Sequence, residues 1–137
     1  MSFTDYRGKF HVEWFPKQAS TDFAYNSLVA TGGTSGTIKP ATSVTTNHVG
    51  IIKKKVASTD ADYALNTLVP VVVPEVDSEL LADGTSFEST DIGTKIDLTD
   101  ASNANAGATS VKVLKVTGII SSTQGIVKMI KDVTSNS

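Results

Sequence analysis

Cysteine is absent from the 137-residue chain, which removes disulfides and thiolate metal sites without fixing a redox compartment. Histidine is nearly absent: only His11 and His48 could serve as bases near neutral pH. Leucine and methionine number 7 and 2, a composition that suits helices poorly. No apolar run approaches the roughly 20 residues needed to span a bilayer, and the opening MSFTDYRGKF lacks the apolar core of a secretory leader. The expectation is a soluble chain that meets no membrane. Basic charge is not concentrated either. A net charge of −2 and a pI near 5.6 argue against binding nucleic acid through its phosphates.

What the chain has instead is 18 Thr, 15 Ser, 15 Val and 9 Ile, the usage of short strands joined by polar turns. Its length is that of one domain. Residues 25–30 read as a strand, followed by TGGTSG, whose glycines supply positive φ. Residues 37–39 resume extended structure. In the next strand, 48–56, Ile52 and Val56 share one face while Ile51, Lys53 and Lys55 share the other. Residues 57–66 form a polar loop. Residues 79–82 read as a strand end in preference to a single helical turn, before Asp83-Gly84, a turn dipeptide. Residues 92–98 alternate, with Ile92, Ile96 and Leu98 opposite Lys95 and Asp97. Residues 99–108, TDASNANAGA, read as a small-residue loop or a short helical turn. Residues 111–120 and 125–131 close the chain as a hairpin before a frayed tail. Turn signals about every ten residues, with no convincing helix, predict an all-β fold: a small β-barrel or sandwich of about eight short strands.

The strongest strand signal is LVPVVVPEV, beginning at Leu68. In an antiparallel ladder, alternate residues point their N–H and C=O to opposite neighbours. Pro70 and Pro74 share a parity, so both missing donors lie on one side, while Val69, Val71 and Val73 can donate on the other. This predicts an edge strand or the lip of a barrel over 67–76, half open and either blunted against aggregation or used to meet a partner.

Residues 1–20 stand apart. They hold Trp14, three of the five Phe and the alternating stretch FHVEWF stopped by Pro16. Aromatics this dense need a surface to bury against, either the chain's own core or a neighbouring subunit. The expected organisation is an extended N-terminal aromatic arm over 1–20, a β-barrel domain over 21–132 and a flexible tail over 133–137.

Catalytic patterns are not found. His11 and His48 read as surface or packing residues. Residues 32–39 lack the lysine after the last glycine, and the helix, that a phosphate loop needs. Asp60 and Asp62 have neither the glycine nor the distal Glu of a calcium loop. There is no paired-histidine metal motif and no Gly-x-Ser-x-Gly elbow. The expectation is no enzyme, no cofactor and no metal. Lys53-Lys54-Lys55 is the only basic run, alternating sides on a strand, as edge protection or as a contact for an acidic partner. The residues expected to touch a partner are Phe3, Tyr6, Phe10, Trp14, Phe15, Lys53, Lys55, Pro70, Val72 and Pro74.

From Ser27 to Ile130, about three quarters of the chain, the order of phrases resembles the small β-barrel head decoration, or capsid cement, proteins of tailed bacteriophages. The matching pieces are Ser27-Leu28-Val29, Gly36-Thr37-Ile38-Lys39-Pro40-Ala41-Thr42 and His48-Val49-Gly50-Ile51. They continue with VASTDADY from Val56, Val69-Pro70-Val71, Ile92-Gly93-Thr94, Asp97-Leu98-Thr99-Asp100 and Val116-Thr117-Gly118-Ile119-Ile120-Ser121. The resemblance implies a non-enzymatic virion protein, made in the host cytoplasm, that binds the outer surface of the major capsid protein's shell, often as a homotrimer. The alternatives are another phage structural β-protein, such as a tail tube, head completion or fibre module, and a small ligand-binding or hydrolytic barrel with a deep pocket.

Overall fold

The computed structural model describes residues 2–32, 36–57, 59, 68–75 and 77–130. Most of the expected 57–66 loop, with Asp60 and Asp62, and the whole 133–137 tail lie outside the described residues. Eleven strands make up the described fold, with a single 3-10 turn at Ser89–Asp91. It is all-β, a small five-stranded barrel carrying a second sheet.

The barrel is a ring of β7 (Glu79–Thr85), β11 (Gln124–Met129), β10 (Leu114–Ser121), β8 (Lys95–Asp100) and β9 (Asn103–Asn105). The ring closes where β9 runs parallel to β7, with Gly84 beside Ala104 and Thr85 beside Asn105. A side chain at Gly84 would strike the Ala104 carbonyl, so closure depends on glycine there. β1 (Phe3–Arg7) lies along the other half of the same β7 edge.

The second sheet has the order β2 (Phe10–Pro16), β6 (Leu68–Pro74), β5 (His48–Ile52), β3 (Leu28–Thr31) and β4 (Ile38–Pro40). Its two ends meet at a Lys17–Ile38 bridge, supported by the Gln18 N–H donating to the Ile38 carbonyl at 2.9 Å. Alternation in these strands separates two cores. Leu28 and Ile51 face the barrel and join Phe3, Leu80, Ile96, Leu98, Leu114 and Val127. Val29 and Ile52 face away and join Phe23, Ile38, Val56, Val69, Val71 and Val73. The barrel interior is filled with side chains.

Several expectations are corrected. The Val/Pro strand is internal, paired with β2 on one side and β5 on the other. The parity of its prolines still governs the pairing. The Pro70 carbonyl accepts from Lys53 N–H at 2.9 Å, so Pro70, Val72 and Pro74 face β5. That ladder registers only at Val72 and Val71, whereas the valine side carries a seven-residue ladder to β2. Asp83-Gly84 is not a turn but the end of β7, because Gly84 serves close approach to β9. Residues 99–108 are neither loop nor helix throughout; they contain β9, built from small residues that fit the ring seam. Ile92 is exposed and ends the 3-10 turn, since Gly93 at φ +90° breaks the strand before Lys95. Asp97 is buried, because the segment after β9 folds over it. Its carboxylate accepts backbone N–H groups from Ser110, Val111 and Lys112 at 3.0, 2.8 and 2.8 Å.

Nor are residues 2–20 an arm that stands off a barrel. Phe3 is completely buried, and β1 and β2 each belong to a sheet. The physical reason is the corner at Gly8, where φ is +110° and a side chain would collide with Ser78. Ser78 is buried in the opposing corner between β6 and β7. Its hydroxyl accepts from Lys9 N–H at 2.9 Å and donates to the Lys9 carbonyl at 2.6 Å. The pairs β1–β7 and β2–β6 are thus one antiparallel ribbon, bent at these corners from the barrel into the second sheet.

Candidate docking edge

Among the described residues, the ribbon leaves one edge of β2 without a partner strand. Glu75 N–H donates to the Lys9 carbonyl at 2.8 Å. In that register His11, Glu13 and Phe15 bond to Val73, Val71 and Val69. Phe10, Val12 and Trp14 therefore point their N–H and C=O groups outward, and among the described residues no strand meets them. Among the described residues, the edge is met further on, where Gln18 reaches β4.

Side chains on this edge fall into two rows. Val12 is 58% exposed and Trp14 62% exposed, on the same face as Phe10, and Leu68 at the end of β6 is 50% exposed. On the opposite face His11 Nε2 lies 3.1 Å from Glu13 Oε1, and His11 Nδ1 lies 3.9 Å from Glu75. Phe15 shares that face and packs on the outer core. Two exposed apolar side chains stand beside this backbone edge, which Pro16, of the same parity and without an N–H, ends on its far side, leaving Phe10, Val12 and Trp14 as the stretch that a partner can cover.

Of the residues expected at a partner surface, the fold brings few together. Phe3 is core, Phe10 and Phe15 are partly buried against the inner and outer cores, and Val72 and Pro74 are buried within β6. Trp14 is exposed, and Pro70 lies beside it across the ladder, partly buried. Tyr6 is exposed on β1, with the Arg7 guanidinium 5.0 Å above its ring. Lys55 is exposed, whereas Lys53 is engaged, its Nζ 3.0 Å from Asp5 and 2.9 Å from Asn26, over the Tyr25 ring. The Lys53 hydrogen bond holds the Asp5 carboxyl below the usual carboxylate range. Val12 and Leu68 complete the exposed row and were absent from the expected set. The period-two pattern could have supplied Val12, which falls between Phe10 and Trp14 on their face.

A shallow groove of about 990 Å³ lies at the ribbon's bend, between Gly8, Lys9 and His11 on one side and Glu75, Ser78 and Met129 on the other. Near it, Glu79 accepts from the Thr117 hydroxyl at 2.5 Å and pairs with Arg7 at 2.9 Å. The Thr117 bond, with Arg7 beside it, holds the Glu79 carboxyl below its ordinary range. These groups are paired with one another along the ribbon. His48 lies on β5 and does not line the groove. It is buried, its Nε2 lies 2.8 Å from Thr45 Oγ1, and burial lowers its pKa to about 4. Among the described residues no three His, Asp or Glu side chains gather as a metal site.

Compared with protein-family models, curated proteins and solved structures, the chain finds no match.

Proposed function

We propose that the protein works by docking rather than catalysis, as a structural component of a larger assembly. The observation that carries this reading is the β2 edge, where Val12 and Trp14 stand exposed beside unpaired backbone on a molecule whose barrel interior is filled. An enzyme or small-molecule carrier of this architecture would place converging polar groups in a deep pocket. Here, in the groove at the ribbon's bend, Asp77 pairs with Lys128 and the Ser78 hydroxyl is bonded to the Lys9 backbone.

The assembly we propose is the head of a tailed phage, with the chain as a decoration or cement protein on the outer surface of the major capsid protein's shell. Support comes from the run of phrases between Ser27 and Ile130 that resembles such proteins. A small oligomer would present its exposed faces to the shell. Co-sedimentation with mature undecorated phage heads tests the reading, with purified tails as control. Saturable binding to heads alone is expected. Binding to tails, or self-assembly into tubes, would transfer the protein to the tail.

A further inference from the structure

We infer that the open edge of β2 pairs with the same edge of a second copy of this chain, antiparallel about a two-fold axis through Val12. The inference rests on the docking reading only in taking this edge as covered, and it names the cover. Phe10, Val12 and Trp14 face outward at every second position. Antiparallel pairing centred on Val12 matches Val12 with Val12 and Phe10 with Trp14 of the other copy, and engages three N–H donors from each strand. The two five-stranded sheets then run on as one.

The register follows from the side chains. Centred on Val12, each His11 stands opposite Glu13 of the other copy, twice over by symmetry. These two residues already sit 3.1 Å apart within one chain, so the pairing builds an alternating His–Glu row. A shift to centre on residue 13 would set Glu13 against Glu13, and one centred on residue 11 would set His11 against His11. Both oppose like groups at the closest cross-strand position. On the other face, the Val12 register joins the exposed Trp14 of each copy to the half-covered Phe10 of its mate. An interface that uses the same patch on both sides closes at two copies and does not propagate into a fibre.

Sedimentation velocity of the full chain over a concentration series tests this, alongside Val12→Pro, Glu13→Lys and the charge swap His11→Glu/Glu13→Lys. Val12→Pro removes an N–H that the monomer's own ladder does not use, so the circular dichroism of the fold is retained while the dimer is lost. Glu13→Lys, which faces His11 of the other copy, weakens the dimer by about tenfold or more, and the charge swap restores it. Should Val12→Pro fail to fold, the other two variants decide. A wild-type monomer at all concentrations, a trimer, or a dimer indifferent to Glu13→Lys would overturn the inference. Head binding separates the two readings. A dimer that does not sediment with heads leaves this pairing intact and removes the decoration reading. A monomer that binds heads does the reverse.

Discussion

His48 is 5% exposed, with one ring nitrogen on Thr45 and Nδ1 without a hydrogen-bond partner among the described residues. Burial disfavours its cationic form, so the folded chain takes up this proton only near pH 4, whereas an unfolded histidine does so near 6.5. Between those values the unfolded state binds more protons, and stability falls as the pH falls. The gap corresponds to about 3 kcal/mol, fully lost once the pH is near 4. Denaturant melts at pH 7.5 and 4.5 should differ by most of that amount, and His48→Phe should flatten the difference. Asp5 and Glu79 act in a lower window, because their depressed carboxyl pKa values stabilise the fold above the ordinary carboxylate range and that stabilisation is lost below it. Asp97 shows how a polar residue can be buried without penalty, its oxygens meeting three backbone donors.

Among the elements, β1 and β2 are integral strands. Removing residues 1–16 deletes Phe3 from the inner core, a loss worth about 3–5 kcal/mol for a buried Phe, and strips β6 of its longer ladder. A domain's net stability is about 5–15 kcal/mol. The truncated chain should therefore lack a cooperative melt, checked by circular dichroism; a folded truncation would restore the arm. The strands at 28–31, 38–40 and 48–52 and the closing hairpin were legible from β-branched runs and turn residues. The partner of the Val/Pro strand was not, because Phe10 meets Pro74 across nearly half of the chain and nothing local to either announces it. Gly84 and Ala104 misled for another reason: small residues usually mark turns, and here they mark backbones pressed together. Of the docking edge, Trp14 was legible as an aromatic without an obvious core. That Phe3 and Phe15 turn inward depends on the ribbon's bend, which no local pattern reports.

For the whole molecule, the second sheet is shared between two cores, with Leu28 and Ile51 on one face and Val29 and Ile52 on the other. Neither core can be dismantled without exposing the other. Trp14 fluorescence, reporting on the second sheet, and far-ultraviolet circular dichroism, reporting on all strands, should give one coincident transition. Two separated transitions would mean that barrel and sheet fold independently. The bent ribbon also fixes an order of events. Phe3 waits for Ala82 and Phe10 for Pro74, so β1 and β2 leave the ribosome well before the strands they pair with. At about 5–20 residues per second, FHVEWF stays unpaired for several seconds of synthesis. Through that interval the nascent chain carries this aromatic stretch bare, and β1 and β2 find their partners only after β6 and β7 have been made.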